Sequence, residues 1–309
     1  MKIKRIKIYI FLFLSYMLLI TEETQAQQDS QFTQYMYNTS TINPGYAGSR
    51  GSLSMTGLYR NQWVGLDGAP ETMNFTVHSP IGVRGVGLGL GFTSDKIGPS
   101  TESVVTADFS YGIQLSKTTK LAFGIKGGLS LMDIDPSKLL IYNPNDYDLE
   151  LNSSSSPIIG VGMFLYSESW YLGLSTPNML ETEHYDDIQV STATEKMHLY
   201  LTGGYVFNIN PELKLKPAFM IKSVVGAPLA VDLSANALYR EVFTLGLAYR
   251  LDAAVSALAG FQLTEKLMLG YAYDYDTTEL GNYNSGSHEV FLRFELGTRY
   301  KAKVNPRFF

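Results

Sequence analysis

The sequence predicts an all-β protein, a transmembrane antiparallel up-and-down β-barrel of the outer-membrane type with about fourteen strands. Three observations predict it. Apolar and polar residues alternate with period two over most of the chain. The links between the alternating runs are themselves alternately long and short. Charged residues make up only 17% of the 309 residues, where soluble domains carry about 25%.

The alternation begins at about residue 51. Leu53, Met55, Gly57 and Tyr59 share one face, with Ser52, Ser54, Thr56 and Arg60 on the other. Met73, Phe75 and Val77 alternate with Thr72, Asn74, Thr76 and His78. Val86, Leu88, Leu90 and Phe92 alternate with glycines, and Val105, Ala107, Phe109 and Tyr111 with Thr106, Asp108 and Ser110. Leu121, Phe123, Ile125, Leu129 and Leu131 alternate with Lys120, Lys126 and Ser130. Further runs follow at about 158–167, 169–175, 197–208, 213–223, 229–239, 242–250, 253–262, 265–275 and 288–299. Period two means strands with two unlike faces. Many runs approach the ~10 residues that a tilted membrane strand needs.

The long links are 133–157, 176–196 and 276–287; short ones lie at 167–169, 209–212, 240–241 and 264–265. Outer-membrane barrels pair long outer loops with short periplasmic turns, and an even strand number puts both termini on the periplasmic side. Phe123, Leu131, Phe219, Leu247, Leu269 and Phe294 are expected to face lipid. Lys126, Asp108, Asp232, Asp274 and Arg293 are expected to face inward, with Lys214, Lys216, Lys222, Asn236, Glu289 and Glu295. A charge on the lipid face at mid-membrane costs ~2–4 kcal/mol, so the inward register is the one the sequence can bear. Tyr59, Trp63, Tyr166, Trp170, Tyr205, Tyr249 and Tyr271 fall near strand ends and are expected as interfacial anchors.

The ends have their own signals. Lys2, Lys4, Arg5 and Lys7 precede an apolar run from Ile8 to Ile20, and Ala26 offers a small residue for cleavage. This is the pattern of a secretory signal peptide over 1–26, too short for a membrane-spanning helix. Residues 27–50 show no period and are expected as a periplasmic or lumenal segment, 51–299 as the barrel, and 300–309 as a periplasmic tail.

The composition excludes several chemistries. There are no cysteines, which removes disulfides, thiolate metal sites and cysteine nucleophiles. A net charge of −5, with no basic run in the mature part, argues against nucleic acid as a partner. His78, His184, His198 and His288 show no metal-ligand spacing. Gly85, Gly87, Gly89 and Gly91 resemble a phosphate loop only superficially. Such a loop opens a helix, whereas these glycines alternate with Val86, Leu88 and Leu90 inside a strand. Asp186 and Asp187 lie in a polar loop. No cofactor, metal or catalytic residue is expected, and the protein reads as a non-enzyme.

Several longer segments carry a resemblance. They are QDSQFTQYMYN (28–38), INPGYAGS (42–49), LYRNQWVGLDGAPET (58–72), HSPI (78–81), DKIGPS (95–100), LSTPNML (174–180), GAPLAVDLSANA (226–237), GYAYDY (270–275) and SGSHEV (285–290). Together, and in this order, they resemble the PorP/SprF family of the type IX secretion and gliding-motility apparatus across the mature chain. The resemblance implies a Sec-exported outer-membrane barrel that supports export or surface anchoring of large secreted proteins by docking. The implied partners are type IX components in the periplasm or outer membrane, a large secreted adhesin and membrane lipid. The alternative is a channel or transporter for small or hydrophobic molecules. The candidate docking residues are Phe32, Tyr35, Tyr37 and Tyr46 in the first segment, Arg60 and Trp63 at the first outer link, and Phe308 and Phe309 in the tail. Aromatic and arginine side chains of this kind are enriched at interaction hot spots.

Overall fold

The computed structural model describes residues 31–82, 85–138, 153–180, 182–183 and 194–297. The expected signal peptide, the whole of the expected tail, and with it Phe308 and Phe309, lie outside the described residues, as do His184, Asp186 and Asp187.

Seventeen strands occupy the described residues. They are β1 (Leu53–Asn61), β2 (Glu71–Ile81), β3 (Val86–Ile97), β4 (Ser100–Gln114), β5 (Lys120–Ile134), β6 (Ser153–Tyr166), β7 (Trp170–Thr176), β8 (Thr182–Glu183), β9 (Thr194–Glu195), β10 (His198–Tyr205), β11 (Phe207–Asn208), β12 (Leu213–Val224), β13 (Ala230–Tyr239), β14 (Phe243–Arg250), β15 (Ala254–Thr264), β16 (Leu267–Asp276) and β17 (Ser287–Leu296). Strands β8 and β9 pair only with each other, in the β7–β10 connection. Strand β11 continues β10 past Val206 along β12. The others form the wall, a closed antiparallel barrel of fourteen strands. Each neighbour in sequence is a neighbour in space, and β1 meets β17 to close the ring. Closure leaves no strand edge, which hydrocarbon could not hydrogen-bond.

The alternation sets the two faces. Phe123, Leu131, Leu247, Leu269 and Phe294 are exposed on the outside, and Leu247 reaches 66%. Phe219 lies on the same outward face of β12, partly covered. Lys126, Asp108, Asp232, Asp274 and Arg293 are buried on the inside. Sequence and structure therefore agree on the register. A slip of one residue would send every one of these charges outward.

Three details differ from the sequence reading. The end that carries the long connections also carries tight turns. Gly98, at φ 56°, lets β3 return as β4 within two residues, and Asp252, at φ 54°, turns β14 into β15. The polar run Thr93, Ser94, Asp95 and Lys96 hides the upper part of β3, because its inward side chains face other polar groups rather than water. Strand β6 starts at Ser153, inside the span expected as loop; Ser153 and Ser155 are small exposed residues that break the apolar signal without breaking the pairing. Tyr166 faces inward and tilts against Phe164 at 5.3 Å between ring centres, so it is not an interfacial anchor.

What a soluble protein would call its core here fills the lumen. Its buried members include Leu58, Phe164, Tyr171, Tyr200, Met220, Leu258, Met268 and Phe291 from the wall, and Phe32, Tyr35, Met36, Tyr37 and Tyr46 from the segment before β1.

Candidate functional site

The segment 31–50 runs inside the barrel from one end to the other. It has no long helix. It is a string of short turns: a 3-10 turn at Tyr35–Tyr37, one helical turn at Thr39–Ile42, and a 3-10 turn at Pro44–Tyr46. The last is written in its residues. The Asn43 side chain accepts from the Gly45 N–H at 2.9 Å, and Pro44 takes the first helical position, where its missing donor costs nothing. Asn43 then uses its own amide to donate to the Met163 carbonyl at 3.0 Å.

The wall holds this segment at three heights. At the end with the long connections, taken as the outer end, stands a buried cluster. The Arg60 guanidinium (β1) lies 2.7 Å from Asp274 (β16) and 3.0 Å from Glu289 (β17). Glu289 also accepts from the Thr33 and Gln34 N–H groups at 2.9 and 2.8 Å, and the Thr33 hydroxyl donates to Asp274 at 2.6 Å. Gln31 donates to Asp232, which Arg250 pairs at 2.8 Å. Half-way down, Asn38 donates to Asn74 and accepts from the Thr76 hydroxyl at 2.8 Å, while Lys126 donates to the Thr41 carbonyl at 2.9 Å. At the inner end, the Gly48 N–H donates to His78 at 3.2 Å, the Ser110 hydroxyl donates to the Ala47 carbonyl at 2.7 Å, and Arg50 pairs with Glu295.

Glycines make the room. Gly87, Gly124 and Gly162 lie on the inward face of β3, β5 and β6, and a Cβ on any of them would collide with the Asn43–Ala47 turn. Of the alternating glycines around β3, Gly87 belongs to the groove cut for this segment, while Gly89 and Gly91 sit against wall residues Asp108, His78 and Thr106, and the run lies in a strand rather than in a phosphate loop. Aromatic contacts complete the fit. Tyr37 stacks on Phe291 at 4.5 Å, and Tyr46 meets Phe164 and His78 edge-on at 5.2 and 5.3 Å.

The structure brings Phe32, Tyr35, Tyr37, Tyr46 and Arg60 together inside the lumen, each 6% exposed or less. Trp63 stands apart in the β1–β2 connection at the outer end, partly exposed at φ 47°, with its backbone N–H donating to the Ser287 hydroxyl at 3.2 Å. Asp274 and Glu289 read from sequence only as inward charges; their junction with Arg60 joins residues more than two hundred positions apart, as the 229-residue separation of Arg60 and Glu289 illustrates. The contacts of Asn38 with Asn74 and Thr76, of the Asn43 amide with Met163 and of the groove glycines with the segment have no local signal. Among the described residues no group of three or more His, Cys, Asp or Glu could hold a metal ion.

A sequence profile described as "Type IX secretion system membrane protein PorP/SprF" matches residues 24–294. The chain belongs to the PorP/SprF family. It is therefore an outer-membrane component of the type IX secretion system. No curated protein matches it. Solved structures resemble this PorP/SprF barrel in fold alone. A monoaromatic hydrocarbon channel, CymD, has TM-score 0.51 at 11% identity, covering 87% of this chain and 94% of its own. Omp33 of Acinetobacter baumannii has TM-score 0.48 at 6% identity, over 79% and 98% of the two chains. The toluene transporter TbuX of Ralstonia pickettii has TM-score 0.47 at 10% identity, over 84% and 92%.

Proposed function

We propose that this PorP/SprF protein is a non-enzymatic docking component that supports export or surface anchoring of large secreted proteins. The supporting observation is the lumen itself. Its own segment 31–50 occupies it, fixed by hydrogen bonds to the buried Asp274 and Glu289 carboxylates at the outer end, by the Arg50–Glu295 pair at the inner end and by a glycine groove between them. A wall braced from within suits a rigid platform, and partners then meet the rims, among them the outer connections around Trp63; Phe308 and Phe309, outside the described residues, stay docking candidates for their aromatic character. In this reading Phe32, Tyr35, Tyr37, Tyr46 and Arg60 serve docking by fixing the shape of the barrel. A channel for small or hydrophobic molecules would need a continuous water or ligand path past that segment.

Pull-down of the tagged full chain from detergent-solubilised outer membrane tests the proposal. Recovery of type IX components or of a large secreted protein is the expected result. Failure to recover either, together with steady solute flux through the purified barrel in liposomes, would replace docking by transport.

A further inference from the structure

The segment 31–50 crosses the lumen in one direction, and two wall strands record it. Along β17, which starts at the outer end, Glu289 holds the Thr33 and Gln34 N–H groups near the start, and Glu295 pairs with Arg50 near the finish. Along β2, which also starts at the outer end, Asn74 and Thr76 bond Asn38, and His78, further down, accepts from the Gly48 N–H. Later residues of the segment meet the wall closer to the inner end. Length excludes a doubling back. The apolar band of such a barrel is ~25 Å tall. Helical turns advance ~1.5–2 Å per residue, so residues 31–50 cover ~30–40 Å, which is one crossing and not two.

The point of entry is Gln31. Its side chain donates to Asp232, close to the outer start of β13, and Asp232 pairs with Arg250 at the outer end of β14. Gln31 is partly exposed, whereas Phe32 to Ser40 are buried without a break. The chain thus passes from solvent into the lumen at the outer mouth. The wall starts at the opposite end. Leu53 and Leu296 are register partners at the inner end, as an even strand number requires. The strand count therefore places the two ends of the wall, and it does not place the chain that comes before the lumenal segment.

We infer that the stretch ahead of Gln31 that remains after export is displayed at the cell surface, carried out through the barrel's own lumen. The chain runs inward from there to Arg50, and only then starts the wall. Gln27, Gln28, Asp29 and Ser30 are all polar and suit an aqueous outer mouth. This end of the chain is open to reagents, proteases and partners outside the cell and to none in the periplasm. The inference does not rest on the docking reading, because labelling reports the side of the membrane whatever the barrel does there.

The chain has no cysteine, so single-cysteine variants carry one thiol each. The probe is a maleimide on a polyethylene glycol chain too large to cross the outer membrane, read as a gel shift on intact cells, on lysed cells and after denaturation. Tyr283→Cys, 73% exposed in the β16–β17 connection, is the outer control, and Lys117→Cys, exposed in the β4–β5 turn, is the inner one. Ser30→Cys should shift on intact cells as fully as the outer control. Gln28→Cys repeats the measurement in case Ser30→Cys lowers the heat-modifiable fraction. Ser40→Cys, buried mid-lumen, should shift only after denaturation. A shift of Ser30→Cys and Gln28→Cys that needs lysis or denaturation would overturn the inference. So would a shift of Ser40→Cys in the folded barrel, or controls that label from the opposite sides.

Discussion

Arg60 and Glu289 face each other across the seam where the first strand closes on the last. They are register partners of β1 and β17, and their side chains pair at 3.0 Å with both groups almost wholly buried. The same carboxylate holds the Thr33 and Gln34 N–H groups. One ion pair therefore ties together both ends of the wall and the segment inside it. Removing one member of a buried pair leaves an uncompensated charge and costs ~3–5 kcal/mol. Arg60→Met should lower the unfolding midpoint of the barrel, read from heat-modifiable gel mobility. A midpoint equal to that of the parent chain would show that the cluster contributes nothing to closure.

Gly124→Leu should expel the Asn43–Ala47 turn, because its side chain needs the space that Pro44 and Gly45 occupy. The wall pairs of β5 are backbone bonds and survive. The expected outcome is a folded barrel with higher ion conductance in planar bilayers and a protease-sensitive 31–50 segment. Parent-like conductance and protection would mean that the groove does not seat the segment.

Leu247 stands mid-strand on the outer face. Leu247→Arg should cost ~2–4 kcal/mol and impair assembly into the membrane. Thr93→Arg, on the inward face beside Asp95, should be tolerated far better. The two are compared by the fraction of heat-modifiable protein in the outer membrane; equal losses would refute the register.

Trp63→Ala and Tyr46→Ala separate the rim from the interior. Tyr46 packs on Phe164 and His78, so its truncation should cost about 3 kcal/mol and act through stability. Trp63 sits in an outer connection, and its loss should leave the unfolding midpoint within about 0.5 kcal/mol while reducing recovery of the type IX partner. Full partner recovery by the tryptophan variant would remove that connection from the docking surface.

Much of this was legible in the sequence, for a physical reason. A wall with lipid outside and a polar interior imposes period two on every strand, and Phe123 against Lys126, or Leu269 against Asp274, follow from that alone. Where the outer strand ends are polar on both faces, as at Thr93–Lys96 and Ser153–Ser156, the period fades and strand limits are lost with it. Tyr166 misleads because a strand-end tyrosine looks the same whether it turns to the membrane or to the lumen. The segment 31–50 shows no period because its turns obey the cavity that receives it, not a repeating surface. Its partners come from β2, β4, β5, β6, β16 and β17, a convergence that only closure creates.

That convergence sets an order of events in the making of the protein. Thr33 bonds Glu289 across 256 positions of chain, and the segment lies within a ring whose first and last strands are joined to each other. Once β1 has met β17, a stretch so tightly held has no side passage by which to arrive. Seating of the segment therefore cannot be completed before the last strand is in place. The first residues exported would wait for the last before either finds its place. Contacts of such long range make folding slow. The open intermediate is the state in which a chaperone or assembly factor would have to hold this chain.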